Sequence, residues 1–235
     1  SVGYGLMFGG LVILPLWLQT TLGYTATLAG EVMAPVGIFA IILSPFIGKI
    51  LPKVDARWVA STAFLIFAVV FFLRAQFTEN VDTFTLMIPT VIQGAAMAMF
   101  FIPLTSIILS GQPPEKMPSA AGLSNFVRIM FGGMGTSITS TFWDRRTSLH
   151  HSQLTEFSGP HNPAFTEAVH NLTAQGMSEP AAWATVERLI TVKAATQGAT
   201  DIFWISAVLF LMLIALVWLT KPSRSSVPAD AGGAH

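Results

Sequence analysis

The chain has 235 residues, of which 52% are hydrophobic and only 10% charged, against roughly 25% charged in an average soluble domain. Twelve Lys and Arg balance twelve Asp and Glu, and mean hydropathy is +0.63. These values exclude a disordered chain, a soluble globular domain and a basic face for nucleic acid, and they leave an integral membrane protein. With no cysteine, disulfides, thiolate metal sites and Cys nucleophiles are excluded as well.

Apolar sequence begins at Ser1 with no basic n-region and no small-residue cleavage site, so the start is not a signal peptide. A start without Met reads as a segment of something longer. A spanning helix needs about 20 mostly apolar residues, and charges mark the limits here. The first span runs from Tyr4 to about Thr21, closed by a Gly23-Tyr24-Thr25 turn. The second runs from about Ala26 to Leu51, the third lies between Arg57 and Arg74, and the fourth runs from about Phe84 to Ser110. The fifth runs from about Ser119 to Trp143, interrupted by Arg128, and the sixth lies between Asp201 and Lys221. The fold expected is all-α and membrane-embedded, with six spans and both ends on one side. Residues 1–143 then hold the first five spans, 144–200 an outer loop, 201–221 the sixth span, and 222–235 a Ser/Pro/Ala/Gly-rich tail expected to be disordered.

Orientation follows Lys and Arg in short loops. One side holds Lys49, Lys53, Arg57, Lys116, Lys221 and Arg224. The other holds Arg74 in a short loop, and Arg145, Arg146, Arg188 and Lys193 in the long one. This bias puts both ends of the segment in the cytoplasm. Within the outer loop Gly159-Pro160 and Asn162-Pro163 act as breakers. Ser178 is placed as an N-cap, and Trp183, Val186, Ile190 and Ala194 form one apolar stripe. That helix lies on the membrane or bundle, or else offers a docking site. His150, His151, His161 and His170 sit in the same loop without any spacing that would fix a metal, so no metal site is expected. Asn171-Leu172-Thr173 matches a glycosylation pattern that is common by chance. No phosphate-binding loop and no hydrolase motif occurs, which argues against an enzyme and assigns no catalytic residue.

The spans are of two kinds. The third and sixth are apolar nearly all round and suit the periphery. The other four carry Gly, Pro, amides and charges, which persist at membrane depth where protein or a water-filled cavity satisfies them. The order is lining, lining, support, repeated once: two three-helix units. Arg128 lies about 13 Å into its helix at 1.5 Å per residue. It either snorkels or bonds carbonyls freed near a neighbouring proline, or it faces a cavity and holds an anionic substrate group or biases a carboxylate. Glu31 is either an interfacial carboxylate favoured by the helix dipole or a contact for cations or protons. Gln93 is either an interhelical hydrogen-bonding group or a ligand contact. Pro35, Pro45 and Gly94 mark packing or bending points. Gly132-x-x-x-Thr136 and Gly133-x-x-x-Ser137, with Gly135 between them, permit close helix approach. Met97, Met99, Phe100 and Phe101 form either a soft apolar wall or ordinary packing.

Several segments then resemble a known family. They are GYTATLAG (23–30), APVGI (34–38), LSPFIGK (43–49), Gln93-Gly94, FFIPLT (100–105), LSGQPPEK (109–116), GLSNFVR (122–128), GTSITSTFWDRR (135–146), HHSQLTE (150–156) and IFWISA (202–207). Taken in order and spacing, the chain resembles the C-terminal half of a major facilitator superfamily transporter, of the fourteen-helix EmrB/QacA drug:proton antiporter type. The resemblance implies one half of a bundle, built as two three-helix units. The complete protein would lie in the bacterial inner membrane and expel small hydrophobic or amphipathic drugs. It would be driven by protons without any other cofactor, and could work with a periplasmic adaptor and an outer-membrane channel. It also implies a midplane cavity between the halves, formed partly by Gln19, Glu31, Gln93, Asn125 and Arg128, with Met97 and Phe100 as apolar wall. The loop from Gly48 to Arg57 resembles the superfamily's cytoplasmic loop motif, but Pro52 stands where an acidic residue is usual. Glu31 stands where close relatives are expected to carry an apolar residue. Export of a metabolite, siderophore or lipid by the same fold, or a non-transporting scaffold, are the alternatives that the residues leave open.

Overall fold

A computed structural model of the chain describes residues 1–109, 113–156 and 163–219. The expected disordered tail, Lys221, Arg224, and the breakers at Gly159-Pro160 and Asn162 lie outside the described residues. Seven α-helices follow in order: α1 (Val2–Thr20), α2 (Ala26–Ile50), α3 (Ala56–Arg74), α4 (Thr83–Leu109), α5 (Met117–Glu156), α6 (Pro163–Ala174) and α7 (Glu179–Trp218).

Helix starts follow local chemistry. Thr25 caps α2 by accepting from Leu28 N, and Asp55 caps α3 by accepting from Arg57 N, so each satisfies one orphan donor of a first turn. Gly23 takes φ +72° in the α1–α2 turn and Gly176 takes φ +93° between α6 and α7, a conformation glycine adopts at little cost.

Two helices run further than hydropathy alone suggests. α5 passes the expected end at Trp143 and reaches Glu156, and α7 starts at Glu179, so the outer apolar stripe and the sixth span form one continuous helix. Each has 40 residues, about 60 Å at 1.5 Å per residue, against about 30 Å of hydrocarbon. Ser178 is the N-cap of α7. Val186 of the stripe packs with Ala182 of α7 and Val169 of α6, backed by Trp183 and Ile190, so the stripe meets α6. Above the apolar span, α5 and α7 are held together by polar contacts. Trp143 Nε1 donates to Ala195 O at 2.9 Å, Arg146 Nη2 and His150 Nε2 each meet Asp201 Oδ2 at 2.6 Å, and His151 Nε2 meets Glu187 Oε1 at 3.0 Å.

Among the described residues, five helices are long and apolar enough to cross a membrane: α1, α2, α3, α4 and α7. α5, the expected fifth span, is not among them because Ser124, Asn125, Arg128 and a run of Gly, Ser and Thr dilute its apolar content. It nonetheless runs against α1 and α7 over a long contact.

Packing joins α2 with α4, α3 with α4 and α7, and α1 with α5. Lipid tails are as apolar as Leu, so close van der Waals fit holds such helices together rather than water exclusion. The centre is an aromatic stack: Phe67 and Phe71 lie face to face with Phe210 at 4.9 and 5.5 Å, and Phe100 meets Phe64 and Phe67 edge-on. Each such pair contributes roughly 0.5–1.5 kcal/mol beyond its buried area. α3 exposes Trp58, Leu65, Val69 and Phe72 on its outer face. α2 exposes Ile38, Ile41, Ile42 and Phe46, and α5 exposes Leu123, Phe126, Ile129 and Ile138.

Candidate functional site

The α1–α5 crossing positions a charged group, Arg128, between the two helices and α4. Gly135 meets the backbone of Gly5, Gly9 meets Thr139, and a Cβ at Gly132 would lie 2.8 Å from the Phe8 ring. Gly133 has nothing within 4 Å, so of the expected small-residue pairs only the Gly132 face packs. The partner surface is Gly5-x-x-x-Gly9 on α1, a small-residue pair readable in the sequence.

Close approach of α1 and α5 places Arg128 beside two aromatic rings. Its guanidinium carbon lies 5.8 Å from the centroids of both Tyr4 and Phe101. Its Nη2 donates to Asn125 Oδ1, one turn earlier on α5. A guanidinium over aromatic faces is held by the ring quadrupoles while its remaining N–H groups stay available. Among the described residues, no acidic side chain forms an ion pair with Arg128. Such a centre can accept an anionic head group, with rings beside it for an apolar body.

The other expected cavity residues divide. Phe100, expected as apolar wall, is fully buried in the core, where it backs Tyr4 edge-on at 5.0 Å and Phe101 at 5.5 Å. Its contribution to the Arg128 cluster is therefore made through those two rings. Met97 is half-buried against the same core. Gln93 is also fully buried, and its Oε1 accepts from Arg74 Nη2 at 2.6 Å. Arg74 itself, expected in a short loop, is wholly buried at the end of α3. Its position at the end of an apolar run gave no sign of this. Gln19 is exposed, and among the described residues it bonds within its own helix, to Pro15 O at 3.1 Å. Glu31 is exposed on α2, and no hydrogen bond or ion pair joins it to Arg128 among the described residues.

The expected hinge residues on α2 and α4 form one contact. Pro35 is buried, and a Cβ at Gly94 would lie 2.7 Å from Val36 O and 3.1 Å from Pro35 O. α4 thus lies directly on the α2 backbone next to its proline. Pro45 is exposed, with Ser44 Oγ bonded to Ala40 O at 2.7 Å beside it.

At the end of the bundle where α3 meets α4, three contacts pin the corner. Arg74 reaches α4, Phe77 stacks on Trp17 at 6.2 Å, and Glu79 takes Lys193 Nζ at 3.0 and 3.2 Å. The Glu79 carboxyl is held below the ordinary carboxylate range, first by its own backbone N–H and then by Lys193. Further out, a groove of about 680 Å³ between α6 and α7 is lined by Glu167, Val169, His170, Met177, Glu179 and Trp183.

Residues 1–136 match the family model described as Major Facilitator Superfamily. The chain is 45% identical over its whole length to the multidrug export protein EmrB of Escherichia coli (strain K12), covering 46% of that protein. It is 40% identical over its whole length to the fatty acid resistance protein FarB of Neisseria gonorrhoeae, again covering 46%. It is 41% identical over 94% of its length to the multidrug export protein EmrB of Haemophilus influenzae, covering 44%. The chain spans about half the length of the curated relatives it matches.

Proposed function

The chain belongs to the Major Facilitator Superfamily and is a multi-pass membrane protein, and from that premise we propose that it forms the C-terminal half of a proton-driven exporter of hydrophobic and amphipathic compounds. The observation that carries the reading is the Arg128 cluster: a cation on α5, set over Tyr4 and Phe101, hydrogen-bonded to Asn125 and unpaired with any described acid. A charge inside a membrane is costly unless a partner or water meets it, and an amphipathic anion crossing the membrane is such a partner. The fatty acid resistance protein and the multidrug export proteins among its relatives carry names that suit this substrate class.

Transport would proceed by alternating access, with this half rocking against the other around a midplane cavity. The exposed apolar faces of α2 and α5 suit contact with that other half. The protein would lie in the bacterial inner membrane with both ends of this segment in the cytoplasm. The α5–α7 extension would then stand on the periplasmic side, where an adaptor leading to an outer-membrane channel could dock.

The test is transport by the intact protein in proteoliposomes. An imposed pH gradient should drive movement of a fluorescent amphipathic anion, and a protonophore should stop it. Movement that is indifferent to the gradient would remove the proton-driven reading.

A further inference from the structure

The α3–α4 corner contains a charged cluster that the transport reading does not use. Arg74 and Gln93 are both 0% exposed. Arg74 Nη2 donates to Gln93 Oε1 at 2.6 Å and to Thr90 Oγ1 at 3.3 Å. Thr90 in turn gives its hydroxyl proton to Leu86 O at 2.9 Å. Phe71 offers its ring 5.8 Å from the guanidinium carbon. Arg74 Nε, Arg74 Nη1 and Gln93 Nε2 have no protein acceptor.

Every unmatched atom in this cluster is a donor, because guanidinium and amide nitrogens cannot accept. The cluster carries one positive charge, and among the described residues no carboxylate forms an ion pair with Arg74. A buried cation without a counter-charge is strongly disfavoured, and so is a buried donor without an acceptor. The missing partner is therefore an acceptor, and a negative one suits it best.

Enclosure limits what that partner can be. α3 is packed between α4 and α7. Phe71, one turn before Arg74, fills the notch at Gly10 of α1. The Phe77–Trp17 stack and the Glu79–Lys193 bridge close the outer end of the corner. With Arg74 and Gln93 both buried, the guanidinium presents no surface to a side chain from another polypeptide or to a bulky drug. We propose that the Arg74–Gln93 cluster binds a small monovalent anion of about the size of chloride inside the bundle, locking α3 to α4. Gln93 is followed by Gly94, which rests on the α2 backbone at Pro35 and Val36, so the same ion would steady the α2–α4 contact. The inference does not depend on what the protein transports.

The probe is chloride against gluconate at equal ionic strength, read as the thermal unfolding midpoint of the intact protein in detergent. Chloride should raise the parent's midpoint by about 1–2 °C, as a ligand that binds only the folded state does. Arg74→Gln should lose the response. Gln93→Glu, which supplies a carboxylate beside Arg74, should lose it too and should show in gluconate a midpoint at least as high as the parent's in chloride. Should Arg74→Gln fail to fold, Gln93→Glu carries the test alone. Equal parent midpoints in the two salts, as expected if water alone meets these donors, would overturn the proposal. So would a Gln93→Glu variant that keeps the parent's chloride response.

Discussion

Gly135 of α5 rests on the backbone of Gly5 of α1, so closely that a Cβ at Gly135 would collide with the Gly5 carbonyl and Cα. This crossing sets the distance between Arg128 and Tyr4, because both lie within two turns of it. Gly135→Leu should therefore push the helices apart and destabilise the protein by about 1–3 kcal/mol or more, as overpacking does. Gly133→Ala, with nothing within 4 Å, should be neutral or stabilising by up to about 1 kcal/mol through helix propensity. Unfolding midpoints of the two variants in detergent distinguish a crossing point from a merely glycine-rich helix. Equal effects would contradict the packing described.

Phe100 is expected to behave as core. Phe100→Ala should cost about 3–5 kcal/mol and lower membrane abundance. A loss confined to transport, with abundance and unfolding midpoint unchanged, would move Phe100 from the core to the substrate path.

Glu79 gives a pH dependence outside the membrane. Its carboxyl lies below the ordinary 4.5 in the folded protein, so its stabilising contribution is present above pH 4.5 and is lost as pH falls through the lower folded value. Both partners are partly exposed, which holds the effect to at most about 1 kcal/mol. Glu79→Gln should flatten the acid limb of the stability profile and leave the neutral region nearly unchanged. An identical acid limb in parent and variant would remove the Lys193 bridge from the stability account.

Much of this architecture is legible in the sequence, for identifiable reasons. Arg57 and Arg74 bracket an apolar run, so α3 falls where charge predicts; Thr25 caps α2 through its side chain, and Ser178 stands at the N-cap position of α7. The lengths of α5 and α7 are not legible from hydropathy. Beyond Trp143 the residues turn polar, yet no Gly or Pro interrupts them before Gly159, so the helix continues while the hydropathy signal ends. Arg74 shows the opposite limit. At the end of a span a cation reads as a loop residue, and only the fold reveals that it turns inward to Gln93. The Gly5-x-x-x-Gly9 pair was readable, but which glycine face it meets depends on the rotation of α5, which sequence spacing does not specify.

Glu31 is exposed on α2, and among the described residues no hydrogen bond or ion pair joins it to Arg128, so its effect should be selective. Glu31→Gln in the intact protein should weaken export of cationic compounds several-fold and leave neutral and anionic ones unchanged. Minimum inhibitory concentrations across a charge-sorted panel check this. A uniform loss would mean that Glu31 acts on folding or on coupling instead.

The most direct test of the account is efflux of an amphipathic anion by cells producing the intact protein with Arg128→Ala, at membrane abundance matched to the parent. The account predicts that efflux falls by at least about tenfold, corresponding to roughly 1.4 kcal/mol or more of lost interaction, while the unfolding midpoint stays within a few degrees of the parent's. Parent-like efflux at matched abundance would contradict it and would leave Arg128 as a group that only joins α5 to the Tyr4 and Phe101 rings.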